Sequence, residues 1–446
     1  MADLRELCDA AVAAAAGDEH VEAYAQESRE TEASALRGEV EGLSFSHTRG
    51  LGVRVIRDER LGYAWASDPS VEEVRAAVVQ ARENASLAEP DEHNVLPDPA
   101  EWTPMPSLFR GTSAQVPAEE KVKMALDLEA RAVSRDPRVS KIDAAQVGDA
   151  VSTVVIASTS GMAASYERTD AWCVVVTLAT EGDETQTGFS FTIARGLDEL
   201  DRDGIADEAV ERGVRLLGAT KPESAKVPVV MDQFAAMNFL GVLAGPLSAE
   251  AAQKGRSLFA GREGQQIGSS LFTLVDDGTI VDGPGACPFD DEGVPSGRTE
   301  LFTAGILNGF LHNTYTASRA GGGQRSTGNG KRGYAGLPSV APSNLYVDRG
   351  HTSFAELLAR ADGGVLIMEV TGVHSGANPI SGEFSVGATG VRIRGGEMAE
   401  PLREMTIAST LPQMLAGVSG VGDDLRFFSS LGTPSLLFSE MSLAGL

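Results

Sequence analysis

The chain has 446 residues, 42% apolar and 22% charged, enough to bury large cores in two or three domains. A formal charge of −26 argues against a phosphate-binding surface, because nucleic-acid binders need clustered Lys and Arg. Solubility is the simpler account of so much acid. No run of eighteen apolar residues occurs, so no membrane span is expected.

The opening MADLRELCDAAVAAAAGDEH reads as an amphipathic helix over 1–16 rather than a signal peptide, since Asp3, Glu6 and Asp9 stand where a signal would be basic and then apolar. Strands are expected at 21–28, 32–46, 50–57 and 61–66, with turns at His47-Thr48-Arg49 and Asp58-Glu59-Arg60. A helix follows from Ser70, which sits at capping-box spacing from Glu73; Val71, Val74, Val78, Ala81 and Ala85 share one face. Residues 86–117 carry six prolines and read as an extended surface connection. A second helix at 118–134 leads into strands at 141–147, 151–158, 162–166, 171–179 and 185–193, with turns at Gly148-Asp149, Ser160-Gly161 and Glu181-Gly182-Asp183. A third helix covers 204–217. Helix, strands, helix thus occurs twice, which predicts α+β layers with helices on antiparallel sheet.

The composition of 221–226 marks a domain boundary, giving an N-terminal domain at 1–222 and a C-terminal one at 227–446. In the second, a strand at 227–231 enters a helical stretch at 235–252. Short strands between glycine turns follow near 271–275, 305–312, 344–347, 365–370, 386–393, 404–408 and 435–441, with helices at 353–361 and 409–417. This predicts a mostly antiparallel, barrel-like β domain.

Four features bear on chemistry. The acidic run Asp290-Asp291-Glu292 offers carboxylates for a divalent metal or a base, but it is expected to be a solvated turn, because consecutive acids point in different directions. The histidines at 20, 47, 93, 312, 351 and 374 include no HExxH pair, and the cysteines at 8, 173 and 287 fail every zinc spacing. Three widely spaced cysteines suit reduced thiols, hence a cytoplasmic protein. The run 320–333, AGGGQRSTGNGKRG, lacks the glycine and the Ser or Thr of a phosphate loop, carrying Arg325 and Arg332 there. It is either a mobile loop or one that closes on an acidic, extended ligand through Arg325, Lys331 and Arg332. Finally, 371–393 reads as two strands holding a polar loop around His374, Ser375, Asn378 and Pro379: an ordinary hairpin or a ligand-facing one.

Several of these stretches resemble the TldD/PmbA family. They include EVEGLSFSHTRGLGVRVIRDERLGYAWASD (39–68), SLFTLVDDGTIVD (270–282), PFDDEGVPSGRTELFTAGILNGFLHNTYTASRAG (288–321), STGNGKRGYAGLP (326–338) and, most specific, EVTGVHSGANPISGEFSVGATG (369–390). The resemblance spans nearly the whole chain. It implies a two-domain α+β protein acting as one half of a TldD–TldE peptidase on unfolded or extended peptides. In TldD-type subunits a helical H-E-x-x-x-H and a late cysteine hold zinc, with the glutamate as base.

Counted from the shared GRSLFAG (255–261), that motif falls here on Leu240-Gly241-Val242-Leu243-Ala244-Gly245, and 427–434, FFSSLGTP, has no cysteine. The resemblance is therefore to the TldE type. It implies no catalytic residue and no metal in this chain, zinc in a TldD-type partner, and a peptide-facing loop at His374, Ser375, Asn378 and Ser381. The alternative is a peptide-binding or regulatory protein, alone or as a homodimer, without hydrolysis.

Overall fold

The computed structural model describes residues 3–445. Helix α1 (Leu4–Ala13) precedes a meander of β1 (His20–Leu36), β2 (Glu39–Arg57) and β3 (Arg60–Ser67), closed by α2 (Val71–Leu87). The same order then repeats with α3 (Ala118–Arg135), β4 (Lys141–Ser158), β5 (Ala163–Glu181), β6 (Glu184–Ala194) and α4 (Arg202–Arg215). β1 and β4 pair antiparallel, so one sheet runs β3-β2-β1-β4-β5-β6, symmetric about the β1/β4 seam.

Alternation along the strands explains the layering. Val21, Ala23, Ala25, Leu51, Val53 and Val55 share a core with α1 and α2, while Ala145, Val147, Cys173 and Val175 share one with α3 and α4. Each outer strand carries a glycine where a helix backbone seats on it. A Cβ on Gly62 would overlap the Ala81 carbonyl of α2, and one on Gly188 the Ala209 carbonyl of α4.

The strands are longer than their local sequence suggests. β1 and β2 form one hairpin that turns at Arg37-Gly38, both at positive φ, and Glu129 of α3 accepts both turn amides. The expected turn at 47–49 is mid-strand. Gly148-Asp149 is not a turn either: Gly148 continues β4 because the Trp172 ring of β5 occupies the space of a side chain.

The second unit begins with β7 (Ala225–Met231) and α5 (Gln233–Ala244). Five strands close into a barrel. β7 pairs with Val365–Thr371 on one side and Leu436–Ala444 on the other, and the ring continues through Glu397–Thr410 and Glu383–Arg394 back to Val365–Thr371. The α+β expectation with a barrel-like second domain is met. One set of barrel residues, including Val229, Ile367, Val386 and Phe438, packs with Phe239, Leu240 and Leu243 of α5. The alternate set, including Val230, Leu366 and Val391, packs on the helix Phe354–Arg360. A smaller mixed sheet, with Leu274–Asp277, Arg298–Thr303 and Leu345–Val347 among its strands, covers the rest of the α5 core. The helix expected over 235–252 breaks at Gly245-Pro246 into a 3-10 turn, since proline removes a helical N–H.

Candidate functional site

Three segments far apart in sequence meet at α5. Asp232 caps this helix, accepting the Ala235 amide at 2.9 Å, and is itself held by Arg212 of α4 at 2.7 Å. Leu240 and Leu243 are fully buried in the core. Gly241 and Gly245 face outward contacts instead: a Cβ there would lie 3.6 Å from Leu431 and 3.4 Å from Pro379. The stretch 427–434 and the tip of the 372–382 loop thus close on the same helix turn. Leucine, glycine, valine and alanine carry no side-chain donor atom, so positions 240–245 do not fit a zinc ion. Among the described residues no group of three or more His, Cys, Asp or Glu is placed to share a metal.

The loop is held by its own bonds. Gly372, at φ 71, opens a single helical turn, Val373–Gly376, and Ala377–Asn378 then pairs back onto Glu383–Phe384. Asn378 Oδ1 accepts the amides of Ile380 at 2.8 Å and Ser381 at 3.2 Å; Ser375 Oγ donates to the Gly372 carbonyl at 3.1 Å. All four sequence-predicted residues are exposed. Ser381 also lines an open groove of about 700 Å³, with Ser385, Ser409, Glu383, Lys226 and Glu440. His374, Ser375 and Asn378 lie outside it.

The acidic run at 290–292 is the main correction. It is buried, with Asp290 and Glu292 at 0% and 1% exposure, and it locks the two units together. Asp290 accepts the amides of Glu292, Val294 and Gly330; Glu292 accepts the Thr314 amide and pairs with Arg54 of β2 at 3.1 Å. Arg54 also pairs with Glu22 of β1 at 2.6 Å, and Glu22 is bonded by Arg332 as well. Arg332 lies over the Tyr24 ring at 4.6 Å and donates to the Asp291 carbonyl at 3.1 Å. Arg332 of the glycine-rich run is therefore turned inward, which removes it from any ligand-closing role, whereas Lys331 keeps 30% of its side chain exposed beside Asp291 and Arg325 is exposed. Beside this network an interdomain cavity of about 310 Å³ opens between Arg54, Leu61, Asp91, Gln253 and Tyr315. No local motif announces it, because its walls come from six separate stretches.

Burial opposes the charge of Glu22, yet Arg332 and Arg54 hold its carboxyl below the usual range. Asp290 goes the other way. Burial, then the neighbouring Glu292 charge, push it up to about 8 against the pull of its three amide donors. The folded chain then keeps a proton that the unfolded chain releases near about pH 4. The contribution of Asp290 to stability is therefore full in acid and falls as the pH rises toward about 8. Asp290→Asn should flatten that slope in urea titrations run from about pH 5 to about pH 8. An unchanged slope would assign the proton elsewhere.

Compared with known proteins, the chain matches family models along most of its length. These are the PmbA/TldA metallopeptidase domain 1 at residues 21–85, central domain at 111–217 and C-terminal domain at 224–445. It is 26% identical to the metalloprotease PmbA of Escherichia coli O157:H7, covering 92% of this chain and 89% of that one. It is 28% identical to a metalloprotease TldD homolog of Haemophilus influenzae, covering 87% and 82%. The crystal structure of TldE from Thermococcus kodakarensis superposes with a TM-score of 0.88 at 26% identity, covering 96% and 97%. An α+β chain with this motif set and these relatives defines one class. The chain belongs to the PmbA/TldD metallopeptidase family and is of the PmbA type. The models split the N-terminal unit into two domains, each contributing one half of the single sheet.

Proposed function

We propose that this chain is the non-catalytic, TldE-type subunit of a two-chain cytoplasmic zinc metallopeptidase acting on unfolded or extended peptides. Zinc and the catalytic base come from a TldD-type partner. The observation that carries this reading is α5: where the related subunits carry ligands, this chain has buried Leu240 and Leu243 and two glycines closed over by Leu431 and Pro379. The three free, buried cysteines suit a reducing compartment. Membrane and nucleic acid have no part in the reading.

The test is zinc content and peptidase activity, for the chain alone and mixed with a TldD-type subunit. No zinc and no turnover alone, with chelator-sensitive cleavage in the mixture, is the expected result. Stoichiometric zinc or turnover by the lone chain would end the proposal.

In this reading His374, Ser375, Asn378 and Ser381 face the peptide. Their substitutions should separate. His374→Ala should lower peptide cleavage by the complex several-fold with no change in melting, since its ring is exposed on the loop. Asn378→Ala should lower stability by about 1 kcal/mol as well, because two loop amides lose their acceptor. Full activity in both variants would remove the loop from peptide binding.

A further inference from the structure

The interdomain cavity has three cations and three acids on its wall, Arg54, Lys254, Arg319, Asp91, Glu250 and Glu292, so the wall is neutral as a whole. Two of the acids have their cation. Glu292 pairs with Arg54 at 3.1 Å, and Glu250 pairs with Lys254 one helical turn on. Asp91 and Arg319 are left over. Asp91 accepts the His93 amide at 3.0 Å and the Tyr315 hydroxyl at 2.9 Å, and among the described residues no cation pairs with it. Arg319 stands one turn after Tyr315 on the helix Thr314–Ala320; it is exposed and has no carboxylate partner among the described residues. An unmatched acid and an unmatched cation thus share one phenol neighbour on the cavity wall.

The same wall carries apolar surface from both units. Leu61 comes from β3, Val95 from the proline-rich connection and Leu337 from the C-terminal unit. Val95 and Leu337 are 40% and 46% exposed although both line a concave surface, so a ligand entering there takes apolar area out of water. At about 310 Å³ the space lies at the small end of ligand sites.

We infer that this cavity binds a free α-amino acid with a branched apolar or aromatic side chain. The ammonium meets Asp91, the carboxylate meets Arg319, and the side chain covers Leu61, Val95 and Leu337. A zwitterion supplies both missing partners from a single carbon, whereas an anion or a polyamine would leave one of the two charges unmatched. Because the wall belongs to both units, a bound amino acid fastens one to the other and couples the stability of the chain to ligand concentration. The inference concerns the chain by itself and does not depend on the proposed function.

The experiment is calorimetric titration of the full chain with L-leucine, L-phenylalanine and glycine, and with the amide and the N-acetyl derivative of the tighter binder. Leucine or phenylalanine should bind with a Kd of about 1 mM or below and raise the melting temperature, and glycine should not. The amide lacks the carboxylate and the N-acetyl derivative lacks the ammonium, so each should bind about tenfold more weakly. Arg319→Ala should weaken the amino acid about tenfold and leave its amide unchanged; Asp91→Asn should do the same with respect to the N-acetyl derivative. If either variant misfolds, the ligand series on the wild-type chain decides. Failure of both amino acids to bind at about 10 mM overturns the inference. So does an amide that binds as tightly as its amino acid, or full affinity in Arg319→Ala. None of these results bears on zinc or on cleavage with a TldD-type subunit, so the proposed function stands or falls separately.

Discussion

Arg54→Ala is expected to destabilise the fold by roughly 3–5 kcal/mol, read as a lower urea midpoint at neutral pH. The Arg54 side chain is 7% exposed and sits between the buried carboxylates of Glu22 and Glu292. Removing it leaves Glu292, on the wall of the interdomain cavity, with the Thr314 amide as its remaining bond and no cation. Glu22 keeps Arg332, so the loss centres on Glu292. Arg54→Ala combined with Glu292→Gln should therefore recover part of the loss, since no carboxylate is then stranded. A cost under about 1 kcal/mol for Arg54→Ala would mean that the interdomain network is worth no more than a surface pair.

Leu240→His tests the reading of α5 directly. A metal-binding helix tolerates histidine at this position; a packing helix does not. Leu240 is fully buried among apolar side chains, so the substitution loses packing and buries a polar ring without a partner. The expected cost is about 3 kcal/mol, with no rise in melting temperature on adding zinc. A stable variant whose melting rises with zinc would show a site waiting for its ligands, and would weaken the non-catalytic assignment.

The parts of the fold written in short-range pattern were legible. Apolar periodicity gave the helices over the N-terminal sheet, and the Asp58-Glu59 turn followed from its local sequence. Elements decided by distant neighbours were not. Gly148 looks like a turn until Trp172, from the next strand, fills the space its missing side chain leaves. Asp290-Asp291-Glu292 looks like a wet turn because its main cation, Arg54, lies 238 positions away. The resemblance to TldD-type subunits points to 240–245 and 427–434 as one place, and in the fold Leu431 does lie against Gly241. The open groove beside Ser381 was not legible, being shaped by strands that only the closed barrel brings side by side.

Barrel closure also sets when this chain can become a protein. The first strand of the second unit pairs with Leu436–Ala444, some two hundred residues later, Ala225 opposite Leu443. Until Leu436–Ala444 has been made, β7 has no mate on that side, and the core shared by the barrel and α5 stands open over more than two hundred residues of chain. The N-terminal sheet has all its strands by Ala194 and can fold during synthesis. The C-terminal unit has to wait for Leu436–Ala444, its apolar core open in the meantime.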